Sequence, residues 1–167
     1  MAIKESILPE FDQEMATTRK LLELVPEDRA DWRPHPKSMT LGRLAIHLAE
    51  LPSWVASILT APSFDTAPPE GRSYQPPEFQ SRAKVVASFD ESVSQARAAI
   101  VSQSDADLMT PWTLKNGGKD VFTIPRVGVL RTLLLNHVIH HRGQFTVYLR
   151  LCDVPLPSVY GPTADAR

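Results

Sequence analysis

The sequence predicts an all-α protein with the architecture of a four-helix bundle, and two observations support this fold class. Four segments repeat apolar residues every three or four positions, which is typical of helices that bury one face. These segments cover residues 3–25, 40–60, 80–103 and 125–151. Proline-rich or glycine-containing linkers at 61–79 and 104–123 are long enough to cross a bundle, so an up-down-up-down order is not required. We therefore expect a four-helix bundle with long crossover loops.

The first two predicted helices are bounded by prolines and by a capping residue. The apolar positions of the first helix are Ile7, Phe11, Met15, Leu22 and Val25. Pro26 ends this helix because proline lacks the backbone N–H that a helix interior needs. Thr40 suits the N-cap of the second helix. The apolar positions that follow it are Leu41, Leu44, Leu48, Leu51, Val55 and Ile58. Pro52 lies inside this stripe, so we expect a kink or a new helix start there.

The third and fourth helices flank the second linker. The apolar positions of the third helix are Val86, Phe89, Val93, Ala96 and Ile100. In the linker, Asn116-Gly117-Gly118 is a strong turn signal that suits a small hairpin. Pro125 fits the first turn of the fourth helix. The stripe of that helix is Val127, Leu130, Leu134, His137, His141, Gln144, Tyr148 and Leu151. A second apolar strip indicates a central helix or one shared with a partner, and it consists of Leu135, Val138, Phe145 and Leu149.

Composition and charge exclude several classes of function. A length of 167 residues predicts one domain, spanning 1–167, with enough chain for a hydrophobic core. The net charge of −1 gives no electrostatic footprint for nucleic acid. The single Cys152 excludes an internal disulfide and fits a reducing compartment. Neither a signal peptide nor a membrane span is visible, so we expect a cytoplasmic protein with no membrane partner.

Histidines carry the candidate chemistry of the chain. The run HVIHHRGQ at 137–144 places His137 and His141 four residues apart, on one face of the fourth helix. Their stripe points to the core, where one metal ion satisfies two imidazoles that would otherwise lack partners. His47 borders the buried stripe of the second helix and can face the fourth. The three rings predict a site with room for water or substrate, and hydrogen-bonded core histidines are the alternative.

The remaining histidines and one familiar motif carry less weight. We expect His140 at the surface or an interface, and His35 in a solvated loop between two prolines. Two histidines four residues apart also occur in the zinc-protease motif H-E-x-x-H. Here Val138 stands where that motif has its glutamate base, which argues against a metalloprotease.

The chain resembles the DinB/YfiT-like superfamily. The resemblance rests on HHRGQ in the fourth helix, on LAIHLAE in the second and on the ending VPLPSVYGPTADAR. It covers nearly the whole chain and implies a four-helix bundle in which three histidines hold a divalent metal, typically in a homodimer. Carried over to this sequence, the metal ligands are His47, His137 and His141. Val138 departs from many relatives, which have an acidic residue there, so no acid–base role is transferred to it.

The resemblance also implies chemistry at the metal. Better-characterised relatives are thiol-dependent transferases and isomerases that use bacillithiol or mycothiol, and some are metal-dependent hydrolases. The implied function is a metal-dependent thiol transferase or hydrolase that activates a low-molecular-weight thiol or water against a small-molecule substrate. Nickel, zinc, iron(II) and manganese all accept imidazole nitrogen. The alternative is a metal-binding or stress-associated bundle without turnover that acts through protein partners.

Several side chains near the histidines have two interpretations each. Tyr148 can turn its hydroxyl toward the site or pack as a core aromatic, and Gln144 can orient a histidine or bond to backbone. Glu50 can accept a hydrogen bond from the histidine one turn before it, or remain solvated. We expect Trp54 to pack in the core rather than line a pocket. Arg142 is expected to point away from the site and to form a structural ion pair, which can lie across a dimer.

Overall fold

The computed structural model describes residues 2–69, 71 and 75–165, which form helices and a small sheet. The helices are α1 (Ile3–Leu22), α2 (Leu41–Glu50), α3 (Trp54–Thr60), α4 (Arg82–Val101), α5 (Asp105–Met109), α6 (Arg126–Val129) and α7 (Asn136–Leu151). The strands are β1 (Ser63–Asp65), β2 (Pro111–Asn116) and β3 (Lys119–Pro125). Short 3-10 turns cover Glu27–Arg29 and Leu51–Ser53, and a π-helical segment, Leu130–Leu135, joins α6 to α7.

The four predicted helical segments are all present, which confirms the fold class. They correspond to α1, to α2 with α3, to α4, and to the continuous run from α6 to α7. Helices α1 and α2 each pack against both α4 and α7. The long connection after α1 therefore carries the chain across the bundle, and the contact of α2 with α7 brings the histidine-bearing helices together.

The ends of the bundle helices follow the capping and proline signals. The hydroxyl of Thr40 accepts a hydrogen bond from the backbone N–H of Arg43 at 3.1 Å, as expected of an N-cap. Ser81 caps α4 in the same way through the N–H of Lys84. Pro52 lies in the 3-10 turn that separates α2 from α3, which confirms the predicted break. Helix α1 ends at Leu22, one turn before Pro26.

A three-stranded sheet is added to the bundle. Strands β2 and β3 form the hairpin that the Asn-Gly-Gly turn predicted, with Gly117 and Gly118 at φ of 60° and 78°. Strand β1 pairs in parallel with β2. The Asp65 carboxylate accepts hydrogen bonds from the N–H groups of both glycines, at 3.0 and 2.7 Å. The interpretation of 61–79 as a structureless linker missed β1, because three residues are too few to show an alternating pattern.

The π-helical segment changes which face of the fourth helix is buried. The N–H of Asn136 donates to the carbonyl of Arg131, five residues back. From this segment onward the buried positions include Leu130, Leu134, Val138, Arg142, Phe145 and Leu149. A π-turn takes one residue more than an α-turn, and the last four of these positions each lie one residue later than the predicted stripe. Beyond the π-segment the predicted stripe is therefore wrong at Gln144 and Leu151, which are exposed, whereas His141 is buried as predicted.

The strip that suggested a shared helix lies in the hydrophobic core of this chain. Its members Leu135, Val138, Phe145 and Leu149 are buried against residues of the other bundle helices. Packing inside the chain therefore accounts for this second apolar strip. None of the helices in the described ranges is long and apolar enough to span a bilayer.

A buried polar network ties α7 to α1. Arg142 is 1% exposed and forms an ion pair with Glu14, which is 6% exposed. The guanidinium also donates to the Glu14 carbonyl at 3.0 Å and to the hydroxyls of Thr18 and Tyr160. The Tyr160 hydroxyl donates to the Glu14 carboxylate at 2.7 Å. The predicted ion pair of Arg142 is thus present, inside the chain's own core.

Candidate metal centre

Three histidines from two helices converge between α2 and α7. His47 lies on α2, and His137 and His141 lie one turn apart on α7. The Nε2 atoms of His47 and His137 are 3.4 Å apart, and the ring centroids of His47 and His141 are 4.5 Å apart. Each ring offers a nitrogen within 4.8 Å of the others. The structure therefore brings together the three residues that the sequence analysis selected.

The environment keeps two of these rings uncharged at neutral pH. His47 and His141 are each 9% exposed, whereas His137 is half-buried. Burial lowers the pKa of His141 to about 4, because desolvation penalises the imidazolium form. Burial and the neighbouring His47 also lower the pKa of His137. Neutral imidazole is the form that donates an electron pair to a metal.

The arrangement fits a divalent metal ion. Imidazole nitrogens bind such ions at about 2.0–2.1 Å, so two tetrahedral ligands lie roughly 3.4 Å apart. The separation of the His47 and His137 nitrogens has this value. Among the residues that the structure describes, no carboxylate, thiol or further imidazole joins the three-histidine group. Three protein ligands leave a coordination position for water or substrate.

Two of the three rings have a further hydrogen-bond partner. Nδ1 of His141 lies 2.8 Å from Oε1 of Gln144, and the ring of His137 bonds to the backbone carbonyl of Leu133. The Glu50 carboxylate lies 3.9 Å from Nδ1 of His47, too far for a direct hydrogen bond. Arg43 holds that carboxylate in place at 3.2 Å. The structure therefore supports the interpretation in which Gln144 orients a histidine. The Glu50 carboxylate is not hydrogen-bonded to the His47 ring and is not fully solvated.

Aromatic side chains border the site. The Trp54 indole lies 5.5 Å from the His137 ring and 6.0 Å from the His47 ring, between centroids. Trp54 is 37% exposed, so the prediction that it packs in the core is wrong. Tyr148 packs its ring edge-to-face on Trp32 at 5.7 Å, which supports the aromatic-packing interpretation.

Sequence reasoning missed two contributors to the site. Arg43 lies four residues before His47 and Glu50 three after it, so α2 presents all three on one face. That spacing was the available signal for Arg43. The carbonyl of Leu133 had no signal, because it belongs to the π-helical segment. The exposed His35 and His140 lie outside the metal-ligand group, as expected.

The fold and the site define a class of protein, namely a helical bundle with a cluster of three histidines. Comparison with known protein families identifies the family. The chain belongs to the DinB superfamily, whose family model matches residues 10–145. It is 27% identical over 164 residues to YrdA, an uncharacterized protein of Bacillus subtilis strain 168, with 96% of this chain and 90% of YrdA covered.

Solved structures of other family members share the fold. A DinB-like protein from Bacillus cereus ATCC 10987 is 27% identical, with a TM-score of 0.72, and the match covers 93% of this chain and 97% of that one. The DinB-like protein YjoA from Bacillus subtilis is only 16% identical, with a TM-score of 0.66 and coverage of 97% and 99%. The similarity to YjoA concerns the fold alone. The resemblance stated from the sequence is therefore confirmed.

Proposed function

We propose that this chain binds one divalent metal ion through His47, His137 and His141. The observation that carries the proposal is the convergence of three imidazoles, each with a nitrogen within 4.8 Å of the other two. Burial lowers the pKa of His137 and His141, which favours the neutral, metal-binding form of both rings at pH 7. Nickel, zinc, iron(II) and manganese all suit nitrogen ligands, and availability decides among them.

The enzymatic proposal is a metal-dependent transferase that uses a low-molecular-weight thiol, or a hydrolase. A divalent ion with three neutral ligands supplies a Lewis acid that lowers the pKa of a water molecule or thiol. The chain's own residues would hold and orient that centre: the histidines bind, while Gln144 and the Leu133 carbonyl fix two of the rings. The lack of a fourth ligand within the described chain favours catalysis over a closed structural site.

The partner and location belong to the same proposal. Val147 and Leu151 are more than half exposed and lie one turn apart on α7, which supports a homodimer through this helix. Cys152 is a free cysteine that forms no disulfide bond, which supports a location in the reducing cytoplasm. Light scattering of the purified protein tests the dimer directly, and a monomeric mass at micromolar concentration would rule it out.

Metal content of untagged protein tests the central proposal. We expect about one divalent ion per chain in the wild type after incubation with nickel, zinc or manganese, and loss of it in His47→Ala and His141→Ala. His140→Ala is the matched control, since it removes an exposed imidazole next to the site. A wild type that stays metal-free would show that the cluster is a hydrogen-bonded core feature. Retention in both ligand variants would place the ion elsewhere.

A further inference from the structure

Gln144 makes a contact that its exposure does not explain. Its amide oxygen lies 2.8 Å from Nδ1 of His141, one turn earlier on α7. Gln144 is exposed, so no requirement of core packing selects this residue. Positions three apart on a helix are neighbours, which lets an exposed amide reach a buried ring.

The chemistry of this contact determines where the ring proton lies. An amide oxygen only accepts hydrogen bonds, so the Nδ1 atom that it faces must carry the proton. A neutral imidazole has a single N–H, and Nε2 of His141 is then left with a free electron pair. That electron pair is the one available to the cluster with His47 and His137.

We propose that Gln144 is a positioning residue that holds His141 in the Nδ1–H tautomer and so presents Nε2 as a metal ligand. This inference rests on the proposed metal site. Outer hydrogen bonds of this kind fix the orientation of ligand rings and raise their basicity. For His141 this partner is a replaceable side chain, so its contribution can be tested by substitution.

The reversed amide is the competing arrangement. If the Gln144 NH2 group faced Nδ1, the ring proton would move to Nε2 and would point into the cluster. It would then occupy the nitrogen whose free electron pair His141 needs for coordination. The two arrangements differ in a spectroscopic signature.

Nitrogen-15 NMR of the metal-free protein at pH 7.5 reads the tautomer. We expect a protonated Nδ1 and a bare Nε2 for His141 in the wild type, and a mixed or inverted population in Gln144→Leu. Leucine preserves helix propensity and approximate size while removing the acceptor. A wild-type ring protonated on Nε2 would overturn the inference without reference to any metal.

Nickel affinity, measured by calorimetry, supplies the second readout. Loss of an outer hydrogen bond typically weakens metal binding by about 10–100-fold, and we expect that loss in Gln144→Leu. Gln144→Glu keeps an acceptor and should bind at least as tightly as the wild type. Gln95→Leu is the matched control, because Gln95 is an exposed helical glutamine bonded to Glu91.

The outcomes separate the two proposals. Equal nickel affinity in the wild type and in Gln144→Leu leaves the metal site intact and overturns the positioning role. A wild type that binds no nickel overturns the metal site, and the positioning role with it. Weakened binding in Gln144→Leu, restored in Gln144→Glu with equal melting temperatures, supports both.

Discussion

The buried pair of Arg142 and Glu14 allows a quantitative prediction about stability. We consider Glu14→Leu, Arg142→Met and the double variant. Removing one partner of a buried ion pair costs about 3–5 kcal/mol, because the other charge is left without compensation. The two single variants should not cost the same, since the two charges have different remaining partners.

The contacts that each charged group keeps predict which single variant loses more stability. After Glu14→Leu, the guanidinium keeps the Glu14 carbonyl, Thr18 and Tyr160 as acceptors, so we expect a loss near the lower end, about 3 kcal/mol. After Arg142→Met, the carboxylate keeps only the Tyr160 hydroxyl among the contacts of this network, so we expect about 4–5 kcal/mol. The double variant should lose less than either single change, because no buried charge remains.

Urea unfolding followed by circular dichroism measures these differences. Because total stability of a domain is about 5–15 kcal/mol, each single change should shift the unfolding midpoint strongly. The exposed pair Arg97–Asp12 provides a control cycle, with an expected coupling below about 1 kcal/mol. Additive losses in the Arg142 and Glu14 double variant, or a larger loss for Glu14→Leu than for Arg142→Met, would refute this reasoning.

Three further predictions concern other parts of the molecule. Nickel(II) should quench the fluorescence of Trp54, whose indole lies 5.5 Å from the His137 ring; Trp54→Phe should abolish the quenching, and an equal effect in both proteins would contradict this. Tyr160→Phe should lower the free energy of unfolding by about 1.5–3 kcal/mol, because its hydroxyl bonds to two charged groups. Gly118→Ala should cost about 1–2 kcal/mol in thermal unfolding, since its φ of 78° strains an L-residue.

The bundle was predictable because its signals are local and redundant. The Thr40 cap, the break at Pro52 and the apolar spacing of α2 each act within a few residues, and the structure contains all three. The pairing of β1 with β2 joins segments about 50 residues apart through three residues, and such a short strand leaves no periodic pattern.

The three histidines of the site could be predicted from the sequence, whereas their surroundings could not. Spacing placed His137 and His141 on one face, and the pair remains adjacent because the π-helical segment ends before Asn136. The sequence analysis misjudged which residues of α7 face the core. In the π-helical segment a backbone N–H bonds to the carbonyl five residues back instead of four, and this change depends on packing and has no characteristic sequence composition.

The hydrogen bond of the Tyr160 hydroxyl affects the order in which the buried contacts of the chain form during synthesis. The hydroxyl meets Glu14 at a sequence separation of 146 residues. Since synthesis proceeds from the N-terminus, α1 leaves the ribosome long before the residue that completes its buried polar contacts. We expect the pairing of α1 with α7 to become stable late in synthesis. Nascent chains in which only residues up to Cys152 have left the ribosome should be cleaved by protease more readily than chains in which Tyr160 has also left it. Long-range closure of this kind slows folding.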